Sequence, residues 1–205
     1  MTKNSIRTKQ LEYWQGTLGN QYIARNSNMA FFRKRRHFFL KLLKQCVDIK
    51  SVLEVGCNIG MNLQILQSTN NSLQLYGIEP NNMAIEIARS ILPSATIEEM
   101  SVFDMAWKER FDLVFTSGVL IHIVEKDLSR AFEKLYTASK KYILSIEYYA
   151  PNLQLIPYHG FTDALFKRPY DILWLKQFSS LVLLDSGFLD KGDGFDNCHW
   201  WLYRK

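Results

Sequence analysis

Hydrophobic residues follow two different periods along this chain. From Met29 to Val47 they recur every three or four positions, which predicts an amphipathic helix. From residue 51 onwards, short apolar runs alternate with segments of helical period. We expect strands at residues 51–55, 73–79, 95–97, 111–115 and 142–146, and helices at 61–67, 83–92 and 128–139. Strands that alternate with helices predict βαβ units and a parallel sheet covered on both faces.

The last third of the chain breaks this alternation. A helix that ends at residues 174–178 is followed by two predicted strands, at 181–184 and 199–203, with glycine-containing turns between them. Such an ending predicts an antiparallel pair at the edge of the sheet. We therefore expect an α/β fold in which a helical extension, residues 1–50, precedes a core at residues 51–205.

Composition and charge narrow the class of protein. Hydrophobic residues make up 47% and charged residues 22% of the 205 residues, which is typical of a globular domain. The net charge of +5 favours anionic ligands but is modest for a dedicated nucleic-acid binder. Three widely spaced cysteines, Cys46, Cys57 and Cys198, exclude a disulfide framework and a CxxC metal cluster. With no apolar leader and no membrane-length apolar run, we expect a cytoplasmic protein without a metal or a membrane partner.

A glycine-containing loop follows the first predicted strand and precedes a helix, which is the context of a nucleotide-binding turn. Gly56 permits the tight turn and Gly60 lets helix and strand pack closely. The middle glycine of dinucleotide-binding loops is replaced by Asn58.

Two acidic residues flank this loop. Glu79 ends the second strand, where an acidic side chain accepts the ribose hydroxyls of a bound nucleoside. Glu54 stands just before the loop, where a carboxylate suits a cationic ligand and repels a pyrophosphate. The pattern therefore favours a sulfonium nucleoside over NAD or FAD. The alternative is a tight strand-to-helix turn with a solvated Glu79.

Residues 54–60, 76–80 and 111–115 resemble the first, second and fourth motifs of class I S-adenosylmethionine-dependent methyltransferases. The resemblance implies their Rossmann-like sheet, mostly parallel with an antiparallel C-terminal strand and helices on both faces. It also implies S-adenosylmethionine as the methyl donor and S-adenosylhomocysteine as the product. We predict a cofactor site formed by Tyr22, Arg25, Glu54, Gly56, Cys57, Asn58, Gly60, Glu79, Pro80, Ser101, Val102, Phe103, Ser117 and Gly118.

A narrower resemblance covers nearly the whole chain. Residues 12–16, 19–22, 25–26, 118–123, 147–151, 157–160 and 165–168 resemble the pseudaminic acid biosynthesis-associated methylases. It implies an acidic acceptor in surface-glycan biosynthesis, either a nonulosonic acid or a nucleotide-activated sugar. A methyltransferase of another small metabolite stays open, as does an RNA methyltransferase that uses the basic run at 33–36. We do not expect a nucleic-acid partner, because this run has the pattern of a solvated helix face.

Two residues are candidates for the chemistry itself. His122 lies just past the fourth strand, where ligands bind in open α/β sheets, and is a possible general base. A structural role in ordering the loop is the alternative. Glu147 follows the fifth strand and is a candidate to bind an amine or accept a proton.

We predict an acceptor site formed by Trp14, Tyr148, Tyr149, Tyr158, His159, Lys167 and Arg168. In this set the basic pair would clamp a carboxylate or a phosphate. The alternatives are that the aromatic residues pack in the core or dock the N-terminal helix, and that the basic pair is solvated.

Overall fold

The computed structural model describes residues 7–26 and 29–205, with the backbone alone at residues 24–26 and 29. Its helices are α1 (Lys9–Gln15), α2 (Thr17–Asn26), α3 (Met29–Leu43), α4 (Met61–Thr69), α5 (Asn82–Ile91), α6 (Glu125–Ala138) and α7 (Tyr170–Gln177). Its strands are β1 (Ser51–Val55), β2 (Gln74–Glu79), β3 (Thr96–Glu99), β4 (Phe111–Ser117), β5 (Ser139–Glu147), β6 (Gln154–Tyr158), β7 (Phe161–Lys167), β8 (Val182–Leu189) and β9 (Cys198–Arg204). Within the described residues, we find no helix that is both long and apolar enough to cross a bilayer.

Seven strands form the main sheet in the order β3-β2-β1-β4-β5-β9-β8. Neighbouring strands are parallel from β3 to β5, whereas β9 runs antiparallel to both β5 and β8. The predicted mostly parallel sheet with an antiparallel C-terminal edge is thereby confirmed. The strand order reverses at β1, so a crevice forms where β1 and β4 end, which is where ligands bind in open α/β folds.

Helices cover both faces of this sheet. On one face α3 and α4 pack against it through Phe39, Leu42 and Leu63, which are essentially inaccessible to solvent. On the other face Phe132 of α6 stacks on Trp174 of α7 with ring centres 4.1 Å apart. Burial of apolar surface on this scale stabilises a domain of this size without disulfides or metals.

The segment between β5 and α7 differs from the prediction. No strand is predicted there, but β6 and β7 form a separate antiparallel hairpin whose turn contains His159 and Gly160, both with positive φ. Pro157 lies inside β6, at a break in the pairing register. A proline cannot donate to a strand ladder, so its presence argued against a strand in the sequence.

The hairpin contacts the N-terminal helix. Gln10 donates from Nε2 to the carbonyl of Asp163 (3.1 Å), and the rings of Tyr13 and Phe161 lie 4.0 Å apart. We call α1, α2 and this hairpin the roof, because α1 and α2 cover the crevice at the carboxyl ends of β1 and β4 and the hairpin packs against α1. The helix predicted to reach Val47 ends at Leu43.

Candidate active site

A pocket lies between the roof and the carboxyl ends of β1, β2 and β4. Strand ends and the loops after them form its floor, and α1 and α2 close it from above. Its lining residues are Thr8, Gln10, Leu11, Trp14, Tyr22, Val55, Gly56, Asn58, Glu79, Pro80, Met100, Ser101, Val102, Phe103, Ser117, Gly118, Val119, His122, Ile123, Val124 and Asp127. Among the described residues we find no group of three His, Cys, Asp or Glu side chains that could hold a metal ion.

The glycine loop approaches the pocket with a bare backbone. Gly56 has φ +73°, and a Cβ atom there would stand 2.5 Å from Cγ2 of Val119, so a side chain would clash. Asn58 has φ +48°, a left-handed conformation that asparagine tolerates better than most residues. Its side-chain Oδ1 is buried without a hydrogen-bond partner, which leaves an acceptor for a donor group on a ligand.

Glu79 is held rigidly at the end of β2. Its Oε2 accepts from the backbone N–H of Asn58 (2.9 Å) and its Oε1 from that of Asn81 (3.0 Å). Burial raises the pKa of this carboxyl to about 7. Each oxygen keeps a lone pair for a further donor, so the side chain can bind two neighbouring hydroxyl groups. A ribose diol fits this arrangement.

A flat apolar slot adjoins Glu79. Ser101 and Asp104 form a capping box that starts a short 3-10 turn, and this turn places Val102 and Phe103 in the pocket wall. The carbonyl of Glu79 accepts from the N–H of Met100 (3.1 Å), which ties the slot to the carboxylate. Pro80 lines the same pocket as Val102 and Phe103.

His122 lies in the pocket wall after β4 and is buried. Its Nδ1 lies 2.5 Å from the carbonyl oxygen of Ala164 in β7. Because a carbonyl only accepts, Nδ1 must carry the proton and Nε2 is the acceptor of the neutral ring. Burial lowers the pKa of His122 to about 4, so the ring is neutral at physiological pH. The ring of Trp14 packs 4.5 Å from it.

The roof is anchored to the floor through Asn81. Its Nδ2 donates to the carbonyl of Trp14 (3.0 Å) and to Oδ1 of Asn20 (2.8 Å). Tyr22 packs edge-on against Trp14, with ring centres 5.4 Å apart. Both aromatic residues therefore face the pocket, whereas the side chain of Arg25 lies outside the described residues and its cofactor role stays a prediction.

The structure corrects the role predicted for Glu147. This fully buried side chain accepts from the hydroxyl of Thr116 (2.8 Å) and from the backbone N–H groups of Val119 (3.3 Å) and Ile121 (3.2 Å). Both carboxylate oxygens are thus engaged in fastening the loop after β4. Glu147 shapes the pocket wall from behind and cannot act as a catalytic group there.

The structure also corrects the predicted basic clamp. Arg168 is 1% exposed and donates to Glu125 Oε2 (3.0 Å) and to the carbonyl of Ile123 (2.9 Å). The N–H groups of its guanidinium are engaged by Glu125 and by the loop before α6, so this side chain cannot bind the methyl acceptor. Lys167 lies outside the pocket, 5.9 Å from the ring centre of Tyr148.

Three predicted cofactor residues support the glycine loop rather than line the pocket. Glu54 is buried, and its Oε1 accepts from Nδ2 of Asn62 (2.7 Å) on α4, while burial raises its pKa to about 8. Cys57 points its thiol into the core. At Gly60 a Cβ would stand 2.7 Å from Cδ1 of Leu92, so this glycine allows a close approach to the C-terminal end of α5, and the helix–strand packing predicted for it stays a prediction.

The remaining predicted acceptor residues lie behind the pocket wall. The ring of Tyr158 is 5.5 Å from that of His122, and His159 packs against Tyr158 at the hairpin turn. Tyr149 packs against His199 with ring centres 5.0 Å apart, and the hydroxyl of Tyr148 donates to Asp196 (3.0 Å).

Nine lining residues were missed from the sequence: Thr8, Gln10, Leu11, Val55 (the last residue of β1), Met100, Val119, Ile123, Val124 and Asp127. Five of them lie in the segments that follow β3 or β4, so their position after the end of a strand could have identified them from the sequence. The three from α1 and the residue before it reach the pocket only through docking of the roof. No local pattern reveals that docking.

Comparison with known proteins identifies similar domains and similar folds. Residues 52–141 match the family model of a methyltransferase domain. The fold is the Rossmann-like fold of class I methyltransferases, as the solved structures show. It matches 1,6-didemethyltoxoflavin-N1-methyltransferase from Burkholderia thailandensis with a TM-score of 0.71, at 13% identity, over 98% of this chain and 92% of that one. That structure contains 1,6-didemethyltoxoflavin and S-adenosylhomocysteine.

Two further proteins are similar. Magnesium protoporphyrin IX methyltransferase from Synechocystis, solved with S-adenosylhomocysteine, matches with a TM-score of 0.71, at 13% identity, over 95% of this chain and 97% of that one. The tRNA N(3)-methylcytidine methyltransferase trm140 of Schizosaccharomyces pombe is 27% identical over 112 residues, or 51% of this chain. The matched part is 35% of the length of that fungal protein.

Proposed function

We propose that this protein transfers a methyl group from S-adenosylmethionine to a small molecule. The observation that carries the proposal is the Glu79 carboxylate, which is fixed by two backbone N–H groups between the glycine loop and an apolar slot. The methyltransferase-domain match over residues 52–141 supports it. So do solved structures of the same fold whose ligand is S-adenosylmethionine or its product.

Different residues of the pocket would bind different parts of the cofactor. Glu79 would accept the ribose hydroxyls, the slot formed by Val102 and Phe103 would hold the adenine, and Asn58 Oδ1 would accept from the amino-acid group. When bound, the cofactor supplies a methyl group on a sulfonium and keeps the electron pair of the broken carbon–sulfur bond.

We infer that His122 takes the proton that the methyl acceptor loses. The neutral ring presents Nε2 as an acceptor, so it can take a proton from a hydroxyl or amine as the new bond to carbon forms. Trp14 packs on the ring and closes the pocket above it, which excludes water and fixes the orientation of the imidazole. The hydrogen bond to Ala164 stabilises the imidazolium that forms, because its N–H is already directed at a carbonyl.

The identity of the acceptor is the finer part of the proposal. A nonulosonic acid or nucleotide-activated sugar is favoured by the sequence resemblance alone, and another small metabolite is the alternative. An RNA acceptor is favoured by one observation, the partial match to a fungal tRNA methyltransferase. The basic run on α3 weakens that alternative, since Lys34 and Arg35 donate to the carbonyls of Lys191 and Gly194.

Calorimetric titration of the free protein with S-adenosylmethionine, S-adenosylhomocysteine and NAD tests the proposal. We expect both sulfur nucleosides to bind with a stoichiometry of one and NAD not to bind. Binding of NAD in preference to them would contradict the proposal. Incubation with methyl-labelled cofactor and separate panels of sugar acids, sugar nucleotides, amines and tRNA then identifies the acceptor class by the mass of the labelled product.

A further inference from the structure

Polar atoms without a protein partner in this pocket share one property. Oδ1 of Asn58 and Oδ2 of Asp127 are buried and have no hydrogen-bond partner among the described residues. Nε2 of His122 is an acceptor too, because Nδ1 carries the proton. The two unpartnered oxygens need a hydrogen-bond donor, and Nε2 can accept a hydrogen bond as well.

The charged residues of the pocket also favour a ligand that donates hydrogen bonds, and in particular a cation. Within the described part of the lining, Glu79 and Asp127 are the only charged side chains, and neither lysine nor arginine contributes. The basic residues of the hairpin do not change this, since Arg168 is committed to Glu125 and backbone carbonyls. The charged side chains of the described lining are therefore all acidic, which favours a cation and opposes a carboxylate.

Asp127 lies on the acceptor side of the pocket. Glu79 ends β2, on one side of β1, whereas Asp127 belongs to the first turn of α6, which follows β4 on the other side. The nucleoside assigned to Glu79 therefore leaves Asp127 free for a second ligand. The lining residues that precede Asp127 in the same segment, Ile123 and Val124, are apolar.

We propose that the acceptor is a small, largely apolar molecule whose ammonium group binds to Asp127, while a separate neutral hydroxyl of the same molecule is the group that is methylated. The hydroxyl oxygen supplies the electron pair of the new bond to carbon and gives its proton to Nε2 of His122, because an ammonium nitrogen has no free electron pair. This inference rests on the proposed function and names the substrate class of that same site. A buried carboxylate oxygen without a partner is costly, and an ammonium group supplies the charge-assisted hydrogen bond that removes this cost. A sugar acid would instead place a second negative charge in the pocket.

Three phenols that differ in one group test the inference: tyramine carries an ammonium, tyrosol a hydroxyl and 4-hydroxyphenylacetate a carboxylate. Their affinities are measured by calorimetry on the protein saturated with S-adenosylhomocysteine. We expect tyramine to bind at least about tenfold more tightly than 4-hydroxyphenylacetate, with tyrosol between them. In Asp127→Asn this preference should fall below about twofold, because the amide cannot supply the charge.

Glu133→Gln is the matched control, since it removes a negative charge from the exposed face of the same helix and should keep the preference. Equal affinities, a preference for the acid, no binding of tyramine, or an unchanged preference in Asp127→Asn would overturn the amine inference. S-adenosylhomocysteine binding is measured first, so its absence is recognised separately. That result would overturn the proposed function and the inference together.

Discussion

The floor and the roof of the pocket are built by different means. The floor is held by backbone hydrogen bonds and strand register, as where Glu79 accepts from the N–H groups of Asn58 and Asn81. The roof is held by side-chain contacts between distant segments, such as the packing of Trp14 on His122. A floor fixed by the backbone suits the constant part of a cosubstrate. A roof fixed by side chains can differ between proteins of one fold and suits the acceptor.

Two buried carboxylates at this edge of the sheet, those of Glu79 and Glu147, also differ in what they bind. Glu79 and Glu147 are both buried and both accept from backbone N–H groups, and burial raises the pKa of each to about 7. Glu147 engages both oxygens with Thr116 and the loop after β4, whereas Glu79 also lines the pocket. One carboxylate therefore stabilises the floor, and the other is available to a ligand.

Glu147→Ala gives the largest expected effect. It leaves the hydroxyl of Thr116 and the N–H groups of Val119 and Ile121 without their acceptor, so we expect the free energy of unfolding to fall by about 3–5 kcal/mol. Urea unfolding measures this loss. Glu133→Ala, on an exposed part of α6, serves as the control and should change stability by less than about 0.5 kcal/mol. A stability change for Glu147→Ala as small as the control's would show that Glu147 does not fasten the loop.

Glu79→Ala should act mainly on binding. Loss of the ribose acceptor should weaken S-adenosylhomocysteine binding by about 2–4 kcal/mol, while the free energy of unfolding should fall by about 1–3 kcal/mol, because the N–H groups of Asn58 and Asn81 also lose their acceptor. Calorimetry and urea unfolding on the same preparation separate the two effects. Glu99→Ala, at the exposed end of β3, is the control. Unchanged affinity in Glu79→Ala would remove the ribose role.

His122→Asn tests the chemistry at the junction of floor and roof. If His122 accepts the proton, turnover should fall about 100-fold while the affinity for S-adenosylhomocysteine stays within about threefold. Single-turnover transfer from methyl-labelled cofactor to the acceptor found above is the measurement. A variant that keeps full turnover would leave His122 with a structural role only.

The pH dependence of nucleoside binding has the smallest expected effect. Ribose hydroxyls donate to the ionised carboxylate, and the pKa of Glu79 is about 7 in the free protein, so affinity should rise about tenfold between pH 6 and pH 8. Methylthioadenosine is the probe, because it has the ribose and adenine but no amino-acid group that titrates. Glu79→Gln should flatten the profile, and a slope that persists in this variant would assign the titration to another group.

Stability of the free protein should change in the opposite direction. The folded pKa of Glu79 is raised above its unfolded value, so its contribution is fully present below about pH 4.5 and is lost as the pH rises through 7. The folded pKa of His122 is lowered to about 4, so its contribution is present above about pH 6.5 and is lost below that. Because methylthioadenosine should bind more tightly at pH 8 than at pH 6, the rise in melting temperature that it causes should grow over this range, while the stability of the free protein falls.

The floor could be predicted from the sequence because it depends on local pattern and on register. Apolar runs located β1, β2 and β4, and parallel strands bring their carboxyl ends together, which placed Gly56, Glu79 and the slot residues in one site. The same reasoning was wrong for Glu147 and Arg168. A position at the correct end of a strand does not reveal whether a side chain faces a ligand or satisfies backbone groups behind the wall.

The roof could not be predicted in this way. Its hairpin contains Pro157, which disfavours a strand, and its turn requires positive φ at His159 as well as Gly160. The contact between Gln10 and the carbonyl of Asp163 joins residues 153 positions apart. Such pairings depend on tertiary packing, for which a single sequence carries no periodic signal.

The most direct test of the central claim is the crystal structure of the complex with S-adenosylhomocysteine. We expect both ribose hydroxyls within hydrogen-bond distance of the Glu79 carboxylate, with the adenine in the slot beside Val102 and Phe103. A nucleoside bound with its ribose away from Glu79 would contradict it.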